Sequence, residues 1–68
     1  MTRIDRTNQG KRVELVSTND QHTRLRSGAR GTYELAIVNP DMTQHSIKWD
    51  DGSSLMMIEG VDKFKFVD

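Results

Sequence analysis

Apolar and polar residues alternate along five short segments of this 68-residue chain. A period of two residues is typical of strands that bury one face. No window repeats apolar positions at helical spacing, and glycines and a single proline interrupt the chain. The pattern therefore predicts five strands and no organising helix. The segments are RVELV, TYELAIV, SIKW, SLMMI and KFKFV.

Turn signals separate these segments, and the strongest is the DDGS sequence between Trp49 and Leu55. Asp51 and Gly52 favour a tight hairpin, which would pair Trp49 with Leu55 and Ile47 with Met57 on one apolar face. Alternation along all five segments then predicts one buried core. Its expected members are Val13, Leu15, Leu25, Tyr33, Leu35, Ile37, Ile47, Trp49, Leu55, Met57, Val61, Phe64 and Phe66.

The chain is long enough for one domain only, because two cores of half this size would not offset chain entropy. Residues 1–10, MTRIDRTNQG, are mostly polar and do not alternate, which predicts a flexible N-terminal arm. Residues 11–68 form the predicted β domain. Two glycines, Gly28 and Gly31, precede the second strand, and we expect one or both to need a positive φ.

The composition of the chain bears on the cellular compartment in which we expect the protein. The chain has no cysteine, which excludes disulfides and thiolate zinc sites and suits a reducing compartment. It shows neither the apolar core of a signal peptide nor an apolar run of membrane-spanning length. We therefore expect a cytoplasmic protein without a membrane partner.

The order of strands and loops resembles an SH3-like small barrel. The sequences RVELV, LRSGARGTY and IKWDDGSSLMMIEGVDKFKFV are similar to the domain of unknown function 4314 family, roughly from Gly10 to Val67. The resemblance implies an all-β, five-stranded antiparallel SH3-like barrel of bacterial or bacteriophage origin, acting in the host cytoplasm if phage-encoded. It carries over no binding residues. Tyr33 stands where such proteins often have valine, and ELAIVNPDMTQHS is long, which leaves the ends of the second and third strands open.

Charge is balanced overall but uneven along the chain. Residues 1–31 hold seven basic and three acidic residues, whereas the remainder holds three basic and seven acidic ones. Zero net charge argues against coating nucleic acid by bulk electrostatics. One arginine-rich loop nevertheless suits phosphate, with Tyr33 as a stacking ring, and the competing interpretation pairs its arginines with the acidic half. The residues of this predicted nucleic-acid surface are Lys11, Arg12, Arg24, Arg26, Arg30 and Tyr33.

Met56 and Ile58 interrupt the alternation near Met57. If both point outward, they form an apolar patch with Ala36 and Val38 that suits a protein partner or a second copy of the chain. The alternative is that Ile58 turns inward as its strand ends. The residues of this predicted partner-binding surface are Met56 and Ile58.

Catalysis and metal binding lack a residue pattern. Adjacent Asp50 and Asp51, or Ser53 with His45, offer no sheltered acid–base pair. The two histidines, His22 and His45, lack a characteristic zinc-ligand spacing, even with Asp20 or Asp41 added. We expect no catalytic residue, metal, cofactor or small-molecule substrate. The sequence favours a non-enzymatic module that binds a protein or self-associates, with nucleic-acid binding as the alternative.

Overall fold

A computed structural model describes residues 1–19, 21 and 23–67. Within this part of the chain there is no helix, and all regular structure is β. No described helix is long and apolar enough to cross a membrane. The elements are β1 (Arg3–Asp5), β2 (Arg12–Ser17), β3 (Arg30–Val38), β4 (Thr43–Trp49), β5 (Met57–Ile58) and β6 (Lys63–Val67).

The six strands form one antiparallel sheet in which five follow the order β5-β4-β3-β2-β6 and β1 pairs with β3 off this path. The strand β3 organises the sheet, because it is the longest strand and has three neighbours. One edge of β3 pairs with β4, and its other edge is shared by β2 and β1. The all-β prediction is confirmed. The sheet is not closed, so the SH3-like barrel is not confirmed, and the strands number six instead of five.

The extra strand comes from the predicted arm. Arg3, Ile4 and Asp5 pair with Val38, Ile37 and Ala36, so the expectation of a flexible arm is wrong for these three residues. The polar sequence concealed the strand because three residues are too few to show alternation. The predicted domain boundary between residues 10 and 11 remains a prediction.

The carboxylate of Asp62 links the end of β2 to β5, which are not neighbours in the sheet. Asp62 Oδ1 accepts hydrogen bonds from the Thr18 hydroxyl and the Asn19 amide, both at 2.9 Å. Asp62 Oδ2 accepts a third from the Ile58 amide at 2.9 Å. Burial raises the pKa of Asp62, but these three hydrogen bonds outweigh it and hold the pKa below its usual range. The side chain thereby connects the end of β2 to β5 where no ladder does.

The core confirms most of the predicted residues, and one irregularity explains two of the errors. A register shift between Tyr33 and Leu35 places a β-bulge at Glu34. A bulge inserts one residue and reverses which side chains face inward. Ala36 is therefore buried in place of the predicted Leu35 and Ile37, which are half-buried. The buried residues are Val13, Leu15, Leu25, Tyr33, Ala36, Ile47, Trp49 and Met57, with Leu55 and Phe64 packed against them.

The predicted hairpin forms its turn but not its register. The Gly52 amide donates to the Trp49 carbonyl at 3.0 Å, and Gly52 has a φ of +88°. Met57 pairs with His45, however, and not with Ile47. Leu55 meets Trp49 through a hydrogen bond from the indole Nε1 to its carbonyl at 2.8 Å. Residues 50–56 are consequently a loop, and β5 is only two residues long.

Candidate functional site

A groove opens at the unclosed side of the sheet, between β6 and the β4–β5 pair. We call it the β6 groove. Phe64 and Phe66 come from β6, His45 comes from β4, and the turn after β5 supplies the acidic residues. Its lining residues are Val16, His45, Glu59, Gly60, Asp62, Lys63, Phe64 and Phe66.

Four rings form the floor and wall of this groove. The rings of His45 and Phe64 meet edge to face with centroids 5.1 Å apart, and Phe64 and Phe66 do the same at 5.7 Å. Tyr33 lies behind them, 5.6 to 6.0 Å from His45, Phe64 and Phe66. These separations are typical of favourable aromatic pairs. The cluster therefore presents a preformed apolar surface.

Polar contacts hold His45 in place within the cluster. Its Nδ1 lies 2.7 Å from the Tyr33 hydroxyl, and its Nε2 lies 3.5 Å from Glu59 Oε1. Burial, with the negative charges of Asp5 and Glu59, raises the pKa of Tyr33. The phenol consequently stays protonated at neutral pH and shares a hydrogen bond with the imidazole. The ring of His45 is thus fixed from both sides.

Phe66 is the most exposed ring of the cluster, at 47% of its surface. It faces the same side of the sheet as buried Val13, its partner on β2. It remains open because β6 is the last strand and no neighbouring strand covers it. Val16, 42% exposed, lines the same groove, and the Lys11 ammonium lies 5.8 Å from the Phe66 ring centroid. The groove therefore combines exposed apolar surface with a cation at its end.

The two residues predicted to bind a protein partner lie elsewhere and do not line a common groove. Met56 is half-buried in a depression that it shares with Thr23, Arg24 and Leu55. Ile58 lies on the outer face, in a row with Gln44, Ile37 and Ile4. The other predicted members of their patch are wrong. Ala36 is buried and Val38 packs against the core, because the bulge turns both inward.

The predicted basic surface is only partly assembled. Arg24, Arg26 and Arg30 line one groove, together with Asp50 and Asp51. Arg30 Nε lies 3.2 Å from Glu14 Oε1. Arg30 thus has an ion-pair partner, but Glu14 belongs to the basic half of the chain, so this pair is not the pairing with the acidic half that the competing interpretation expects.

Three further residues of that surface have other roles. Arg12 donates to both carboxylate oxygens of Asp50, one at 2.9 Å, and to the Thr32 hydroxyl at 3.0 Å. The pair with Arg12 lowers the pKa of Asp50. Lys11 contacts the Phe66 ring at the β6 groove. Tyr33 is only 3% exposed, so the prediction that it stacks on a base is wrong.

The pairs considered for catalysis and metal binding have structural partners. Asp51 Oδ1 accepts a hydrogen bond from the Ser53 amide at 2.8 Å, which lowers the pKa of Asp51. The described residues contain no group of three histidine or carboxylate side chains that could hold a metal ion. Asp20 and His22 lie outside the described residues. The expectations of no metal and no catalysis stay predictions.

The β6 groove was not predicted as a site, although its residues were recognised. Alternation in KFKFV assigns both Phe64 and Phe66 to the core. The signal that marks Phe66 as exposed is the position of β6 at the edge of the sheet, which depends on strand order. Two lysines that alternate with the rings, Lys63 and Lys65, are the only local indication, since lysine is common on edge strands.

Comparison with known proteins identifies the chain's relatives at the family level. A family described as a domain of unknown function (DUF4314) matches residues 4–67. The chain belongs to this family. The match to DUF4314 includes all of β2 to β6 and therefore every residue of the β6 groove, and it confirms the resemblance found in the sequence. No curated protein and no solved structure matches the chain.

Proposed function

We propose that this DUF4314 chain is a non-enzymatic binding module that holds an apolar segment of a protein partner in the β6 groove. The exposure of Phe66 carries the proposal. An aromatic ring that leaves about half its surface in water, beside exposed Val16, is unfavourable unless another surface covers it. Aromatic side chains in preformed depressions are also the residues that contribute most to protein interfaces.

The charges around the groove favour protein over nucleic acid as the occupant. Glu59 and Asp62 line it with only Lys63 and Lys11 nearby. A phosphate backbone would meet two carboxylates there, whereas a polypeptide presents a neutral backbone. From the family resemblance, the proposal includes a bacterial or bacteriophage origin and a place in the host cytoplasm.

Capture from a bacterial lysate, combined with variants, tests the proposal. Phe66→Ala should reduce capture of the bound protein by about tenfold or more, which is the effect of a central interface residue. Ile4→Ala is the matched control, because Ile4 has a similar exposure of 48% and lies on the opposite face. Nuclease treatment should leave capture unchanged. Retention of the partner by Phe66→Ala, or equal loss with Ile4→Ala, would contradict the proposal.

Self-association is tested separately, because the groove's occupant in that case is a second copy. Sedimentation velocity over a hundredfold concentration range measures it directly. A concentration-dependent dimer that Phe66→Ala abolishes identifies the partner as the chain itself. A monomer at all concentrations leaves a different protein as the occupant.

Nucleic-acid binding is the second candidate, and one observation favours it. Arg24 and Arg26 line the same groove, and neither makes an ion pair within the described chain. Binding through them should fall steeply with salt and disappear in the Arg24→Ala, Arg26→Ala, Arg30→Ala triple variant. Absence of binding to DNA or RNA at low salt rejects this candidate.

A further inference from the structure

The outer edge of β6 is open for backbone pairing. β6 pairs with β2 along one edge, from Val67 opposite Arg12 to Lys63 opposite Ser17. Along its other edge, no described residue forms a ladder or a backbone hydrogen bond with Lys63–Val67. An unpaired edge of five residues offers main-chain donors and acceptors to an added strand.

Side chains divide sharply between the two faces of this edge strand. Phe64 and Phe66 face the β6 groove, opposite Leu15 and Val13 of β2. Lys65 faces outward, because successive residues of a strand point to opposite sides, and its ammonium pairs with Glu14. Lys63, at the start of β6, lines the groove. A strand placed beside β6 would therefore meet rings on one face and the Lys65 ammonium on the other.

The outward face already carries a row of alternating charges. Arg30 on β3, Glu14 on β2 and Lys65 on β6 are successive cross-strand partners. Glu14 Oε1 lies 3.2 Å from Arg30 Nε, and Glu14 Oε2 lies 3.5 Å from Lys65 Nζ. The row thus reads positive, negative, positive, and it ends at the free edge. An acidic residue on an added strand continues the alternation, and opposite charges stabilise cross-strand pairs.

We infer that the β6 edge binds an extended partner segment in which acidic and apolar residues alternate. This inference rests on the proposed function and specifies the chemistry of the partner segment. The apolar side chains enter the β6 groove against Phe64 and Phe66. A carboxylate on the other face lies opposite Lys65, and main-chain hydrogen bonds to β6 supply affinity that does not depend on sequence.

Charge argues against a second copy's β6 as the added strand. Antiparallel pairing of two β6 strands centred on Phe64 or on Lys65 places lysine opposite lysine. Like charges directly opposite each other destabilise a pair of strands. Lys65, which disfavours these two registers of self-pairing, also selects an acidic segment.

Three blocked synthetic peptides test the inference on the full chain. The first has the sequence Glu-Val-Glu-Val-Glu, the second replaces each glutamate by lysine, and the third, Glu-Glu-Val-Val-Glu, keeps the composition without the alternation. Amide shifts and hydrogen exchange by NMR report pairing at Lys63–Val67. We expect the first peptide to shift and protect these amides. The lysine peptide should bind about twofold to thirtyfold more weakly, because the attractive charge pair with Lys65 becomes a repulsive one.

Lys65→Glu supplies the charge-reversal arm, and Lys48→Glu is its matched control because Lys48 is exposed on β4. The first variant should reduce or invert the preference between the two alternating peptides, whereas the control should keep it. No shift of the β6 amides by the acidic peptide at millimolar concentration, or equal binding of the third peptide, overturns the inference. If the peptides fail to bind in this way but Phe66→Ala still reduces capture of a protein partner, the inference fails and the proposed function stands.

Discussion

Trp49 is the residue on which the core depends most. It is the largest of the fully buried side chains, 1% exposed, and its indole nitrogen donates to the Leu55 carbonyl. It thus contributes packing and also ties the irregular loop after β4 to the sheet. The DDGS turn beside it places the loop where this hydrogen bond forms. The turn next to the largest buried side chain therefore contributes to folding, because it positions the loop that hydrogen-bonds to the indole.

Replacing Trp49 by alanine should cost about 3 to 5 kcal/mol, because a large cavity remains in a small core. That loss is comparable with the total stability expected for a domain of this size, so the variant should be largely unfolded at 25 °C. Urea denaturation followed by circular dichroism measures it. Trp49→Phe, which keeps a ring but loses the indole donor, should lose less. A cooperative melt of Trp49→Ala near that of the wild type would contradict the core assignment.

Asp62 links stability to pH at the seam between β2 and β5. Its pKa is lowered in the fold from an ordinary value of 3.8, so its contribution is fully present above that value. The contribution is lost as pH falls through the folded-state pKa. Asp62→Asn should cost about 1.5 to 3 kcal/mol at pH 7, through lost charge-assisted hydrogen bonds. As the pH falls below 3.8 and through the lowered folded-state pKa, the difference from wild type should shrink. A difference that is constant from pH 7 to pH 2 would exclude the carboxylate as its source.

Among the strands, β3 contains the bulge that determines which of its own side chains face the core. Its bulge at Glu34 separates Tyr33, which faces inward by simple alternation, from Ala36, which faces inward by reversed alternation. Leu35 and Ile37 thereby move to the outer face, where Ile37 meets Ile4 and Gln44 across the sheet. A one-residue insertion in the ladder thus creates a second, partly apolar surface.

Gly28, just before β3, and Gly31, inside β3, act through different physical causes. Gly28 has a φ of +96°, whereas Gly31 does not have a positive φ. A Cβ on Gly31 would lie 2.7 Å from the Lys48 carbonyl oxygen and 2.9 Å from Ile47 Cγ2. The absence of a side chain there lets β3 and β4 approach. The expectation of positive φ is therefore confirmed for Gly28 only.

Substitution distinguishes these two causes. Gly31→Ala should cost about 1 to 3 kcal/mol by overpacking, and Gly31→Asn more. Gly28→Ala should cost about 1 to 2 kcal/mol from backbone strain, and Gly28→Asn less, because asparagine tolerates positive φ. Chemical denaturation of the four variants measures, at each position, whether the alanine or the asparagine variant is less stable. The same ranking of alanine and asparagine at both positions would refute the distinction.

At the scale of the whole molecule, folding mixes the charges that the sequence separates. Arg12 from the basic half pairs with Asp50 from the acidic half. Lys65, a basic residue of the acidic half, pairs with Glu14, an acidic residue of the basic half. The uneven charge along the chain is thus partly neutralised within one protomer, which weakens it as a reason for self-association. What remains at the surface is a balanced set of charges and several exposed apolar side chains, of which Val16 and Phe66 lie in the β6 groove.

A molecule without net charge has little electrostatic repulsion between copies. Solubility should therefore pass through a minimum near the isoelectric point of about 6.7 and rise on either side. Precipitation with ammonium sulfate at pH 5.5, 6.7 and 8.5 measures this. Phe66→Ala should raise the solubility at the minimum, since it removes exposed apolar surface. A solubility that is independent of pH would indicate that apolar contacts alone control association.

The amino-acid sequence by itself determined that the chain is all-β, where most strands lie, and that Val13, Leu15, Ile47, Trp49 and Met57 are buried. Alternation and turn residues act over a few positions and are therefore readable locally. Only the tertiary structure decided the bulge in β3, the strand formed by residues 3–5, the ion pairs between distant residues and the exposure of Phe66. Each depends on which strands become neighbours, and that pairing joins residues far apart in the chain, so no local pattern specifies it.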